Sequence, residues 1–170
     1  MVIILMGVSG SGKTTIGKAL ADELGWHFFD ADDFHSMTNK QKMSTGSALS
    51  DEDRWPWLER LADKISVWAV EPVGAVLACS ALKESYRACL TSKAKAQAVV
   101  YIHLTGEKKL IAERLASRQK HYMPLDLLDS QYEILEGPSS ALLVDVSGTP
   151  AEIVAEICSK MNESVRLAPI

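Results

Sequence analysis

Cysteine is scarce in this 170-residue chain: Cys79, Cys89 and Cys158 are widely spaced, odd in number and form no C-x-x-C pair. That excludes a zinc-ribbon or disulfide-stapled scaffold and points to reduced thiols in a cytoplasm. A basic surplus is also missing. The net charge is −4, with 18 Lys and Arg against 22 Asp and Glu. This argues against a nucleic-acid partner but leaves room for a local basic pocket. No apolar run approaches the roughly 18 residues that would cross a membrane, so no membrane partner is expected. Residues 1–7 lack a basic leader and read as a core strand rather than a secretory signal. Internal repeats, low-complexity tracts and dividing linkers are absent, so residues 1–170 are expected to form a single domain.

What is present is a regular alternation. The chain is 47% hydrophobic, enough for a core, and short apolar runs alternate with helical patterns. This predicts an α/β fold with β/α units around a parallel sheet. Strands are expected over 2–6, 27–30, 75–79, 99–104 and 142–146. Helices are expected over 13–24, 51–70, 81–90, 107–117, 125–135 and 150–161. Ser50 can cap the second helix, and Thr149-Pro150 places an N-cap hydroxyl before an N1 proline. Ligands of such sheets gather beyond the carboxyl ends of the strands, so polar residues just after each strand are the site candidates.

The first strand runs into Gly7-Val8-Ser9-Gly10-Ser11-Gly12-Lys13-Thr14, the G-x-x-x-x-G-K-[ST] spacing of a P-loop. Its glycines let consecutive N–H groups turn inward around a polyphosphate. Lys13 would set an ammonium against the β- and γ-phosphates, and Thr14 a hard hydroxyl on Mg²⁺. A helix starting at Lys13 adds the positive end of its dipole. A nucleoside triphosphate site is therefore predicted, with contacts from Gly7, Ser9, Gly10, Ser11, Gly12, Lys13, Thr14 and Thr15.

After the second strand, Asp30 and Asp32 would share one face if the extended chain continues. Beside a P-loop, one acid can hold Mg²⁺ through water and the other can orient or deprotonate an attacking hydroxyl. A solvated acidic turn is the plainer reading. His35 either donates to a polyol or serves the scaffold. Arg54 falls in the first turn of a helix, where a cation is mildly unfavourable. That favours a substrate carboxylate as its partner over a neighbouring acid. The third strand ends near Ser80, where a Walker B strand would carry Asp. Lys83 and Arg87 are four apart and would share a helix face, either toward an anionic substrate or toward solvent. Arg114 and Arg118 are also four apart and precede a break at 119–124. They would close over the transferring phosphoryl group or simply complement a helix C-terminus. No Asn/Thr-Lys-x-Asp motif reads guanine, and 145–150 is a candidate adenine-side loop.

These pieces, in order, resemble the gluconate kinase family of small P-loop kinases over nearly the whole chain. Beyond the P-loop they are Asp30-x-Asp32-x-x-His35, Asn39-Lys40-x-Lys42-Met43-x-x-Gly46 and Leu49-x-Asp51-x-Asp53-Arg54-x-Pro56-Trp57-Leu58. They continue with Cys79-Ser80-Ala81-Leu82-Lys83-x-x-Tyr86-Arg87, Arg114-Leu115-x-x-Arg118 and His121-x-Met123-x-x-x-Leu127-Leu128-x-Ser130-Gln131. The resemblance implies a nucleoside-monophosphate-kinase-like P-loop fold with sheet order 2-3-1-4-5, a short lid at about 118–124, and a cytoplasmic homodimer. It implies ATP and Mg²⁺ as cofactors, and transfer of the γ-phosphate to the 6-hydroxyl of D-gluconate. Lys13, Asp32, Arg114 and Arg118 would then be catalytic. Asp32, His35, Arg54, Lys83, Arg87 and Gln131 would bind substrate, and Thr14 and Asp30 would hold the metal. Ala31 and Ser36 stand where Gly and Pro are frequent in the family, and neither change removes a functional group. The rivals are a shikimate-kinase-like or other small-acid kinase, a nucleotide kinase, and a non-catalytic ATP-binding regulatory module. The 39–58 stretch argues against the first and the Arg54–Lys83 combination against the second. Lys13, Asp32 and Arg118 together argue against the third.

Overall fold

Five successive apolar residues, Val2–Met6, are all buried, as in a strand covered on both faces. This strand, β1, is the centre of a five-stranded sheet. Its companions are β2 (His27–Asp30), β3 (Ala75–Ala78), β4 (Val99–Thr105) and β5 (Leu142–Asp145), in the order β2-β3-β1-β4-β5. Adjacent strands are parallel, with Val2 in register with Ala75 on one side and Val99 on the other. The expected strand order is thus the observed one. The computed structural model describes residues 1–117 and 125–167. The lid expected at about 118–124, with Arg118 in it, lies outside them.

Alternation along β1 sends side chains to two layers. Ile3 and Leu5 meet α1 (Lys13–Leu24), α5 (Lys108–Ala116) and α7 (Pro150–Leu167) through Ile16, Ile111 and Ile157. Val2, Ile4 and Met6 meet α3 (Asp51–Trp68) and α4 (Glu84–Thr91) through Leu58, Leu61 and Leu90. Leu58 and Leu61 are fully buried, each stabilising the fold by roughly 1.5–3 kcal/mol. That anchors the first turns of α3, where Arg54 sits. Ser50 caps this helix: its Oγ accepts from Asp53 N at 3.3 Å while the Asp53 carboxylate accepts from Ser50 N at 3.1 Å. Among the described residues no helix is long and apolar enough to cross a membrane.

α7 runs six residues past its expected end at 161, and three local expectations nearer the site also differ from the structure. β2 stops at Asp30, and residues Ala31–Phe34 form a 3₁₀ turn, so Asp30 and Asp32 do not share a strand face. Asp30 caps the turn itself, Oδ1 accepting from Asp32 N at 3.1 Å. A helix not expected from the pattern, α2 (Met37–Ser44), follows; it is mostly polar, and its cap is Ser36 accepting from Asn39 N. Finally, α4 begins at Glu84 rather than at 81. Ala81 is left-handed at φ 44° and Lys83 is extended, so Lys83 and Arg87 do not lie on one helix face. The cause is tertiary: the carbonyls of Ala81 and Leu82 accept from Arg87 Nη1, and Leu82 O also accepts from Glu136 N. The sixth helix, α6 (Leu125–Ile134), agrees with its expected span to one residue at the end.

Candidate active site

The loop between β1 and α1 is built for close approach. Gly12 caps α1 at φ 93°, and a Cβ at Gly10 would lie 2.9 Å from the carbonyl of Ile111. Lys13 Nζ donates to the carbonyls of Gly7 and Val8, each at 2.9 Å, so its ammonium lies folded across the loop. The loop is tied to β3 by Gly7 N donating to Ser80 O at 3.2 Å. Ser80, in the Walker B neighbourhood, therefore contributes its backbone here.

Thr14 and Asp30 are brought together: the Thr14 hydroxyl donates to Asp30 Oδ2 at 2.9 Å. Asp32 follows on the 3₁₀ turn with its side chain 81% exposed. His35 is buried and stacks on Trp57, ring centroids 4.2 Å apart. Burial, then the charges of Lys40, Arg54 and Arg60, lower its pKa to about 4. Its Nε2 lies 3.9 Å from Asp32 Oδ1, and a neutral imidazole makes that a polar neighbour rather than an ion pair. His35 Nδ1 is buried without a hydrogen-bond partner among the described residues.

A second group of charges gathers where the N-terminus of α3 faces the start of α4. Lys83 Nζ donates to both oxygens of Asp51, at 3.0 and 2.7 Å. Tyr86 OH also donates to Asp51 Oδ1. Arg54 Nη1 donates to Tyr86 OH at 3.0 Å and stands 3.6 Å from Asp51 Oδ1. The hydrogen bond from Lys83, then that from Tyr86, holds the Asp51 carboxyl below its ordinary pKa. Asp51 in turn raises the Lys83 ammonium. The Tyr86 phenol is raised by burial and by its bond to Asp51.

Arg87, for which the resemblance implied a substrate contact, takes a different place. It is buried, with Nη1 on the Ala81 and Leu82 carbonyls. Its charge shapes the β3–α4 loop instead of lining an open wall. Gln131, for which the resemblance implied a substrate contact, lies on the nucleotide loop. Ser9 N donates to Gln131 Oε1 at 2.7 Å, and Gln131 Nε2 donates to Ser9 Oγ at 3.0 Å. Arg114 sits in the last turn of α5, where a cation suits the dipole, and its charge reaches Asp145. Sequence reasoning did not foresee the roles of Asp51 and Tyr86. Their only signal was membership of the two family-like runs, because their contacts join residues over thirty positions apart.

A family model described as shikimate kinase matches residues 9–162. A gluconokinase from Arabidopsis thaliana is 42% identical, over 96% of this chain and 94% of its own length. The chain belongs to the gluconokinase family. The thermosensitive gluconokinase of Escherichia coli is 46% identical over 81% of this chain and 72% of its own. The crystal structure of a gluconokinase from Sinorhizobium meliloti superposes with a TM-score of 0.86 at 37% identity, covering 99% and 97% of the two chains. This gluconokinase-family chain is accordingly an ATP-dependent P-loop kinase, with the fold of that class and a phosphate loop in its usual strand–loop–helix setting.

Proposed function

We propose that the chain is a gluconokinase, transferring the γ-phosphoryl group of ATP to the 6-hydroxyl of D-gluconate to give 6-phospho-D-gluconate and ADP. The observation that carries this reading is the pairing of a P-loop with the Arg54–Lys83 cluster, on a chain 42% identical to a gluconokinase over nearly its whole length. A cationic group outside the phosphate loop is what a sugar acid requires and a neutral sugar does not.

The residues take roles by position. The P-loop amides and Lys13 bind the phosphates, with Lys13 leaving its carbonyl partners for the β- and γ-oxygens. Asp32, exposed beside the loop, aligns the acceptor hydroxyl and takes its proton. The hydroxyl then attacks the γ-phosphorus as the bond to the ADP oxygen breaks. Arg114 and Arg118 stabilise charge on the transferring group, and His35 packs beside the acceptor. Arg54 holds the carboxylate. Thr14 and Asp30 suit Mg²⁺, being two hard oxygen ligands 2.9 Å apart, with phosphates and water to complete a shell. When bound, the ion would neutralise phosphate charge. The same family likeness supports a single domain over 1–170 with a lid at about 118–124, and a homodimer in the cytoplasm.

The test is ADP release and product identification with gluconate, shikimate, nucleoside monophosphates and no acceptor. Gluconate-dependent ADP together with 6-phosphogluconate is expected. Equal ADP with and without gluconate would remove the reading. The match to the shikimate kinase model makes shikimate the informative competitor.

A further inference from the structure

In the charged group between α3 and α4, Lys83 is already matched. Its ammonium bonds both oxygens of Asp51, a carboxylate of the same chain. Arg54 is placed differently. Its Nη1 donates to Tyr86 OH, while among the described residues its Nε and Nη2 have no hydrogen-bond partner. The direction of these bonds is forced. A guanidinium only donates, so the Tyr86 oxygen must accept from Arg54. The single phenolic proton is then left for Asp51, with which Tyr86 makes a short contact. Ring faces reinforce the arrangement, since Arg54 lies 5.7 Å and Lys83 5.4 Å from the centroid of the Tyr86 ring. Two cations and one carboxylate leave the group one net positive charge, the complement of a monoanion.

We propose that Asp51 and Tyr86 are positioning residues for the acceptor's carboxylate. A relay from Arg54 through Tyr86 to Asp51 sets the Arg54 fork, and makes Arg54 rather than Lys83 the group that reads a monocarboxylate. This rests on the gluconokinase reading above. Lys83 acts behind the relay, fixing Asp51. Tyr86 is 3% exposed and packs in the core beneath, so the relay is anchored in the fold and not to a surface loop.

The test is steady-state kinetics of Asp51→Asn, Tyr86→Phe, their double variant and Lys83→Met, each checked for an unchanged circular dichroism spectrum. Asp51→Asn and Tyr86→Phe keep shape and packing. Each is expected to raise KM for gluconate about fivefold to twentyfold, the effect of losing one hydrogen bond that orients a charged group. KM for ATP should stay within about twofold. Because both act through the same Arg54, the double variant should be no worse than the worse single. Lys83→Met should raise KM less than Arg54→Ala. Unmoved KM for gluconate in both singles, multiplied effects in the double, or a Lys83 loss equal to that of Arg54 would each overturn the relay while leaving the activity standing. No gluconate phosphorylation by the unaltered protein would overturn the parent reading and the relay with it.

Discussion

Thr14 and Asp30, sixteen residues apart, share a hydrogen bond of 2.9 Å from hydroxyl to carboxylate. The same carboxylate caps the turn that carries Asp32. One acid thus ties the first turn of α1 to the segment that presents the proposed base. Asp30→Asn should weaken both functions. The Mg²⁺ concentration for half-maximal activity should rise about tenfold, as expected for loss of a charged oxygen ligand. A magnesium titration of both proteins measures it, and an unshifted midpoint would show that Asp30 is only a cap.

Lys13 is held by two carbonyls of its own loop. Its removal should therefore trouble chemistry more than folding. Lys13→Ala is expected to lower kcat by about two orders of magnitude or more, the scale of lost electrostatic stabilisation in a transition state. The melting temperature should move by only a few degrees. Near-normal turnover in a folded variant would contradict the role.

Asp32 and Asp33 are neighbours on the 3₁₀ turn but differ in what they face. Asp32 lies beside His35, whereas Asp33 offers its carbonyl to Lys40 Nζ at 3.0 Å. Asp32→Asn should abolish most turnover while ATP binding remains measurable by calorimetry. Asp33→Asn should be mild. Reversed results would put the base one residue along the chain.

Arg54 and Arg118 carry the same charge but are assigned different partners in the proposed reaction. Arg54→Ala should appear mainly as a raised KM for gluconate with KM for ATP little changed. A charge-assisted contact of roughly 1.5–3 kcal/mol corresponds to about tenfold to over a hundredfold. Arg118→Ala should mainly depress kcat. If Arg54→Ala raised KM for ATP and spared gluconate, Lys83 would become the carboxylate reader. Arg87 would not, since its guanidinium is buried on the Ala81 and Leu82 carbonyls.

His35 gives the fold a pH dependence of predictable sign. Its pKa is lowered by burial from 6.5 to about 4. As pH falls below about 6.5, the unfolded chain takes up the proton first, so stability is complete above that value and declines until about pH 4. By pH 4.5 the loss should reach roughly 2–3 kcal/mol. Urea unfolding at pH 7 and 4.5 should show a smaller pH effect for His35→Gln than for the unaltered chain. Parallel profiles would show that the imidazole is not charged on unfolding.

How much of this was legible depended on how local the cause was. β1 and the P-loop are written in consecutive residues: an unbroken apolar run, then glycines spaced for one turn. The other strands were readable within a residue because each is a short apolar run with a helix on either side. The lead-in to α4 was not, because Ala81 and Leu82 leave the helix to meet Arg87 and Glu136, the latter more than fifty residues away. α2 escaped notice because it buries almost nothing, so no apolar stripe marks it.

The site divides along the same line. Sequence alone determined the strand order's raw material, the nucleotide loop and which acids and cations stand after each strand, since spacing and side-chain chemistry are properties of the chain. Tertiary structure decided their partners. It placed Gln131 on Ser9 across 122 positions, buried Arg87 under its own loop, and matched Lys83 to Asp51. Hydrogen bonds between distant residues leave no periodic trace, and only the packing of α3 and α4 against the sheet brings those groups within reach.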